Sequence, residues 1–245
     1  MPDHKATPAN LIHLIEELAD RYAKELDNQI KARMIDMQQD DRSYYLIYQV
    51  LRITEQEGFL IDAYQNKGRF LYKYAGSFLE DATILCFEYG CENVIAKHKV
   101  ENTLGKRPKE FEIDCLVGTD AIEIKWRDAT TDGDHITKEH TRVKVIQAAG
   151  YKPVRVMFYY PNREQAIRIQ DTLKTLYQGV GGEYYSRDEA WDYVQQRTQF
   201  DLKAILVSIA ERNKKAAEEN ALLTDESVKE VEEKIKQITM GGENE

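Results

Sequence analysis

Hydrophobic positions recur at helical spacing from early in the chain. Leu11, Leu14, Ile15, Leu18 and Tyr22 line one face of a helix over 8–35, and Tyr45, Ile47, Tyr48 and Leu51 give the stripe of a second over about 41–57. "YQNKGRFLYKYAG", 64–76, reads as a basic, aromatic connection. A third helix follows from Ser77 to about Tyr89, buried through Phe78, Ala82, Leu85 and Cys86. The period then changes. A strand near 93–100 precedes a hairpin, residues 134–149 are again helical, and "PVRVMFYY" (153–160) is apolar enough for a fully buried strand. "NREQAIRIQDTLKTLY" is a helix with Asn162 at its N-cap. After Gly181-Gly182 the rest reads helical. This order predicts an α/β protein whose sheet is flanked by helices, with helical additions at both ends.

The hairpin, "FEIDCLVGTDAIEIKW" (111–126), carries the most information. Phe111, Ile113, Cys115 and Val117 alternate with Glu112, Asp114 and Leu116; Ile122, Ile124 and Trp126 alternate with Ala121, Glu123 and Lys125. Gly118-Thr119 between them suits a two-residue type II′ turn. Opposed residues then sum to 237, which places Phe111, Ile113, Cys115, Ile122, Ile124 and Trp126 on one apolar face. On the other face Asp114 lies across from Glu123, and Glu112 across from Lys125. Like charges directly opposed across a ladder are destabilising, so a cation is expected between them.

Composition narrows the classes. Hydrophobic residues are 42% and charged residues 31% of 245, an ordinary globular balance in a chain long enough for one sizeable core. No apolar run approaches the roughly 18 residues of a membrane span, and the start has no secretory pattern. Cys86, Cys91 and Cys115 form an odd set without C-x-x-C, which argues against a disulfide framework or zinc knuckle and for a cytoplasmic setting. The net charge of −9 argues against nucleic acid on its face, but the charge is uneven. "KHKVENTLGKRPK", 97–109, is strongly basic, and 211–238 is an acid-rich polar helix fit to project or to pair with a partner.

Asp114 and Glu123 are candidate ligands of one divalent cation, since Mg²⁺ takes a few carboxylates plus water and substrate phosphate. Lys125 projects from the same face roughly 7 Å further along. A metal beside an ammonium suits phosphodiester hydrolysis. The competing reading pairs Lys125 with Glu112 and leaves Asp114 as a solvated strand residue. "HITKEH" matches no zinc-protease motif, and the chain has neither a phosphate loop nor a nucleophile elbow.

"ID-x8-EIK" resembles the PD-(D/E)xK nuclease signature, with Ile113 where many members have proline. "GSFLE" (76–80) resembles the helix that supplies a further acid in that superfamily, which makes Glu80 a candidate; its alternative is an exposed helical carboxylate. "AIEIKWRDATTDGDHITKEHTR" and "RVMFYYPNREQAIRIQ" are similar to the ApaLI-type restriction endonucleases. The resemblance implies a PD-(D/E)xK core with a mixed central sheet and a single catalytic domain over 1–245, divided as 1–74, 75–180 and 181–245. It implies catalysis by Asp114, Glu123, Lys125 and Glu80, with Mg²⁺ at Asp114, Glu123 and Ile124. It further implies a homodimer that cuts both strands of double-stranded DNA at a short palindrome (GTGCAC for the namesake), leaves 5′-phosphate ends and has a cognate DNA methyltransferase. The alternatives are a repair or structure-specific nuclease on the same core, and a DNA-binding protein that cuts nothing.

Residues 127–142 leave the active-site strand rich in hydrogen-bonding side chains and are expected to lie against DNA. Arg127, Lys138, His140 and Arg142 are the candidate contacts, expected to touch phosphate or guanine rather than pair with acids. The competing reading is a solvated loop leading to a helix capped by Asp132 or Asp134. Electrostatic steering is expected from 97–109, with Lys106 and Arg107, and from Lys67, Arg69 and Lys73.

Overall fold

The computed structural model describes residues 8–105, 107–127 and 134–215. The chain divides into two compact units, Met1–Leu202 and Lys203–Glu245. In the first, the elements run α1 (Pro8–Gln39), α2 (Tyr45–Val50), α3 (Glu55–Gly90), β1 (Val94–Glu101), β2 (Glu110–Val117), β3 (Asp120–Arg127), α4 (Asp134–Ala148), β4 (Lys152–Tyr159), α5 (Glu164–Gly179), β5 (Glu183–Ser186) and α6 (Asp188–Thr198). In the second, residues 203–215 are helical and the rest of the expected 211–238 helix lies outside the described residues. Among the described residues no helix is long and apolar enough to cross a membrane.

The five strands form one mixed sheet in the order β1-β2-β3-β4-β5. β1, β2 and β3 are antiparallel neighbours, while β3, β4 and β5 run parallel, joined by α4 and α5. The expected α/β architecture is present. β4 is buried at six of its eight positions, as its apolar run predicts. One apolar cluster joins Phe111, Ile113 and Leu116 to Val145 and Ile146 of α4; another joins Met157 to Leu173 and Tyr177 of α5. Burying such side chains contributes on the order of 1.5–3 kcal/mol each.

Four elements differ from what the sequence predicts. The second helix is only six residues long: Arg52 takes a left-handed φ of 66° and ends it. Thr54 then caps a new helix with a reciprocal capping box to Glu57, and α3 continues unbroken through the expected connection at 64–76. Gly68 and Gly76 sit where an added Cβ meets nothing within 4 Å, so they interrupt no packing. The expected boundary at 74/75 lies inside this helix. Residues 183–186, expected to be helical, extend the sheet as β5, and α5 is capped at Arg163 rather than Asn162, without a side-chain bond.

The hairpin turn has Gly118 at φ 60° and Thr119 outside the left-handed region, as a type II′ turn requires. Cys115↔Ile122, Leu116↔Ala121 and Val117↔Asp120 all sum to 237. The ladder stops there. Beyond Cys115 the Ile124 N–H donates to the Asp114 side chain (2.8 Å) instead of to a β2 carbonyl. Asp114 and Glu123 therefore do not form the directly opposed ladder pair that simple extrapolation gives.

Candidate active site

Where the β2–β3 ladder ends, a guanidinium enters. Arg142 of α4 donates through Nη2 both to the Glu112 backbone carbonyl of β2 and to Glu123 Oε2 of β3. Lys125 Nζ lies 2.5 Å from the other Glu123 oxygen, Oε1. The cation expected between the acids is thus supplied twice. Lys125 pairs with Glu123, not with Glu112 across the ladder. The register between β3 and β4 sets Arg155 beside Glu123 on the same face.

The polar face of the hairpin is covered rather than solvated. Asp114 is 8% and Glu123 4% exposed. Burial, then the neighbouring Glu123 carboxylate, push the Asp114 carboxyl up to about 6, against the opposing pull of Lys125, the Ile124 N–H and Arg142. Burial also works against ionised Glu123, but Lys125 and Arg142 outweigh it and hold its pKa below the ordinary value. Lys125 is disfavoured as a cation by burial, yet Glu123 and Asp114 raise its pKa, so it remains an ammonium at neutral pH. Two carboxyls of opposite tendency therefore share one site with a charged lysine. Both offer oxygen donors, and the repulsion between them is what a hard cation relieves.

A second layer lies beneath. Arg155, fully buried in the middle of β4, is 3.2 Å from Glu139 of α4, whose same oxygen accepts from the Tyr177 hydroxyl at 3.2 Å. Burial and the nearby Glu139 carboxylate raise the Tyr177 pKa well above its usual value, so it stays a hydroxyl donor. These three residues were not among the sequence candidates. The signal was Arg155 itself, the one charge inside an apolar strand run, because a buried guanidinium requires a carboxylate.

The other sequence candidates fall in different places. Arg142, expected on DNA rather than on acids, is salt-bridged to Glu123 and mostly buried, which corrects that expectation: the acid it neutralises is adjacent in space and its cost of burial demands the pairing. Glu80 of α3 is ion-paired with Lys97 of β1. Among the described residues no three His, Cys, Asp or Glu side chains form a metal-ligating group, so Glu80 does not join Asp114 and Glu123 in a three-acid cluster. Arg127 ends β3, exposed, with its guanidinium 5.5 Å from the Tyr72 ring and 5.6 Å from the Trp126 ring, and with no carboxylate partner among the described residues. It borders an open cleft of about 460 Å³ lined also by Tyr159, Tyr160, Asn162 and Arg163. Lys138 is exposed on α4, His140 half-buried, and Arg107 exposed on the β1–β2 connection. Lys106, Asp132 and the rest of 128–133 lie outside the described residues, and nothing is described of the Asp134 side chain.

No curated protein and no solved structure matches the chain. The family model described as ApaLI-like restriction endonuclease matches residues 6–211, which span all five strands and every residue of the site. A chain matched over that length, with two acids and a lysine gathered where two strands part, belongs to the ApaLI-like restriction endonuclease family.

Proposed function

We propose that this chain is a magnesium-dependent type II restriction endonuclease. In this reading it acts as a homodimer, hydrolyses both strands of DNA at a short palindrome, GTGCAC or a related site, and leaves 5′-phosphate and 3′-hydroxyl ends. The observation that carries the reading is the meeting of Asp114, Glu123 and Lys125 on one polar face at the point where the β2–β3 ladder ends. That arrangement is what the resemblance to the PD-(D/E)xK signature implies, and it supports the reading.

Asp114 and Glu123, with the Ile124 carbonyl, are the residues that would hold Mg²⁺. The bound ion supplies charge for the phosphoryl oxygens and a water of lowered pKa. Lys125 is kept as an ammonium, so its role is to donate to and orient the attacking water or the phosphate rather than to act as a base. Glu123 is held by Lys125 on one oxygen and by Arg142 on the other, which fixes its carboxylate plane. Arg142 is itself anchored on the Glu112 carbonyl, so it positions Glu123 rather than reading DNA. Arg127, one step beyond Lys125 on the same face of β3, is placed to meet the adjacent phosphate or a guanine edge. Lys138 and His140 of α4 and Arg107 are further contacts to DNA. A cytoplasmic setting and a cognate DNA methyltransferase belong to the same reading.

Digestion of a plasmid with and without Mg²⁺ tests the proposal. Discrete fragments that require Mg²⁺ and map to one palindrome are the expected result. A smear would instead indicate a nuclease without sequence specificity, and intact DNA that is nonetheless bound would indicate a binding protein; either outcome overturns the proposal.

A further inference from the structure

Exposed large hydrophobic side chains are not scattered evenly. Of the seventeen among the described residues, eleven fall between Ile35 and Tyr72, a segment that contains α2 and the first half of α3. Monomeric surfaces carry such side chains singly, and a concentration of them marks an interaction site.

The segment is built to present them. Tyr44, Tyr45 and Tyr48 all donate to the Asp62 carboxylate of α3, at 2.9, 3.2 and 3.1 Å, and clasp α2 against it. Tyr45 and Tyr48 are thereby turned inward. Leu46, Ile47, Val50 and Leu51 are turned outward, at 59–70% exposure. On α3 the inward residues are Ala63, Asn66 and Phe70, and Asn66 reaches Met37 of α1. Leu60, Ile61, Tyr64 and Leu71 share the opposite side at 3.6 residues per turn. Gly68 lies in the same stripe, and nothing stands within 4 Å of the position its Cβ would take. The stripe therefore has ridges on both sides of an open notch.

We propose that this stripe of α3, with the outward face of α2, is the surface on which a second copy of the chain docks, with the two α3 helices antiparallel and crossing at Tyr64. The proposal deepens the dimeric part of the function proposed above by assigning its surface. A two-fold contact must be self-complementary, and this one is. With the axis at Tyr64, residues whose numbers sum to 128 face each other, so each Leu60 meets the open notch at the partner's Gly68. The charges agree. Before Tyr64 the helix carries Glu55, Glu57 and Asp62; after it, Lys67, Arg69 and Lys73, with no acid until Glu80. Antiparallel crossing sets the acidic end of each helix, with Glu57 on the stripe side, toward the basic end of the other, where Lys67 borders the stripe. Parallel crossing would oppose like charges. The eight side chains of the two faces, at roughly 60–120 Å² each, offer roughly 500–1,000 Å² of largely apolar surface per copy. A standard interface buries about 800 Å² per partner, a little over half of it apolar.

The position also suits the chemistry. α3 runs on from the stripe to Tyr72, whose ring packs at a tilt against Trp126, the residue after Lys125 (centroids 5.7 Å apart). One continuous helix thus connects the docking stripe to the strand that bears Glu123 and Lys125. A partner seated on it holds a second such centre in fixed relation to the first, one for each strand of a duplex.

Sedimentation velocity and cysteine cross-linking on the full-length protein test this without reference to cleavage. The wild type is expected to sediment as a dimer. Leu60→Glu with Tyr64→Glu, both exposed positions that α3 tolerates, is expected to weaken dimerisation by roughly thirtyfold or more with the helical circular dichroism unchanged. Tyr64→Cys, at the axis, is expected to form an intermolecular disulfide on mild oxidation beyond any wild-type background. Gln56→Cys is not, because its two copies would stand roughly 24 Å apart along the helices. A wild type that is monomeric at every concentration, free and on DNA, overturns both the surface and the dimer. A dimer indifferent to the double glutamate variant, or one that cross-links through Gln56→Cys as readily as through Tyr64→Cys, overturns the surface alone and leaves the nuclease reading standing.

Discussion

Removing Arg155 should reveal how much of the active-site geometry depends on the buried layer beneath it. Its guanidinium is fully buried beside Glu123 and ion-paired to Glu139 at 3.2 Å, and Glu139 also accepts from Tyr177. Arg155→Met leaves the Glu139 carboxylate buried without its partner, a change that costs about 3–5 kcal/mol. For a unit of this size that corresponds to a fall in Tm of roughly 6–20 °C. Glu139→Gln in the same background removes the orphaned charge and still offers Tyr177 an acceptor, so the double variant should regain about 2–4 kcal/mol over the Arg155→Met single. Urea unfolding followed by circular dichroism, run as a double-mutant cycle, reads the coupling directly. If Arg155→Met costs under about 1 kcal/mol, or if the two changes add within about 0.5 kcal/mol, the pair is not the coupled buried unit described.

Other expectations follow from the same geometry. Asp114 has a carboxyl raised to about 6 from 3.8, so its ionisation opposes folding, and the penalty grows as pH rises from about 4 through 6. Without added metal, Asp114→Asn should therefore gain on the wild type by on the order of 2–3 kcal/mol between pH 4.5 and pH 7.5; a difference that is flat or of opposite sign in denaturant titrations at the two pH values refutes the shift. Gly90→Ala should destabilise by about 1–3 kcal/mol, because the added Cβ would lie 2.3 Å from the Thr198 carbonyl oxygen of α6, and thermal unfolding at or above wild type contradicts that packing. Arg127→Ala should cost about 1–3 kcal/mol on the cognate site and little on random DNA. Arg107→Ala should weaken both alike and reduce the salt slope by about one; competition binding at two salt concentrations separates these signatures.

The hairpin was legible because two local signals agreed: a Gly-Thr pair suited to one turn type, and alternation on both sides of it. Together they gave the register of Cys115 to Val117 with Ala121 and its neighbours. They could not show that the ladder stops at Asp114, because that depends on Arg142, which arrives from α4 nineteen residues after Glu123. The same non-local cause explains why Arg142 looked available for DNA. α3 was obscured for a different reason. Two glycines and many aromatics between 64 and 76 lower local helix preference, whereas packing against α1 and the Thr54 cap sustain it. β5 is only four residues, too short for its period to stand out before α6. Arg155 was visible as a charge in an apolar strand, but its partners Glu139 and Tyr177 come from two different helices.

Single-turnover cleavage of a duplex containing GTGCAC, with wild type and Asp114→Asn at saturating protein and fixed Mg²⁺, bears most directly on the assignment of the reaction to Asp114, Glu123 and Lys125. Asp114→Asn keeps a side-chain oxygen for the Ile124 N–H, so fold and DNA binding should persist. The cleavage rate should nonetheless fall by about three orders of magnitude or more. Cleavage by this variant within about tenfold of wild type, on DNA it binds equally well, would place the chemistry elsewhere in the molecule.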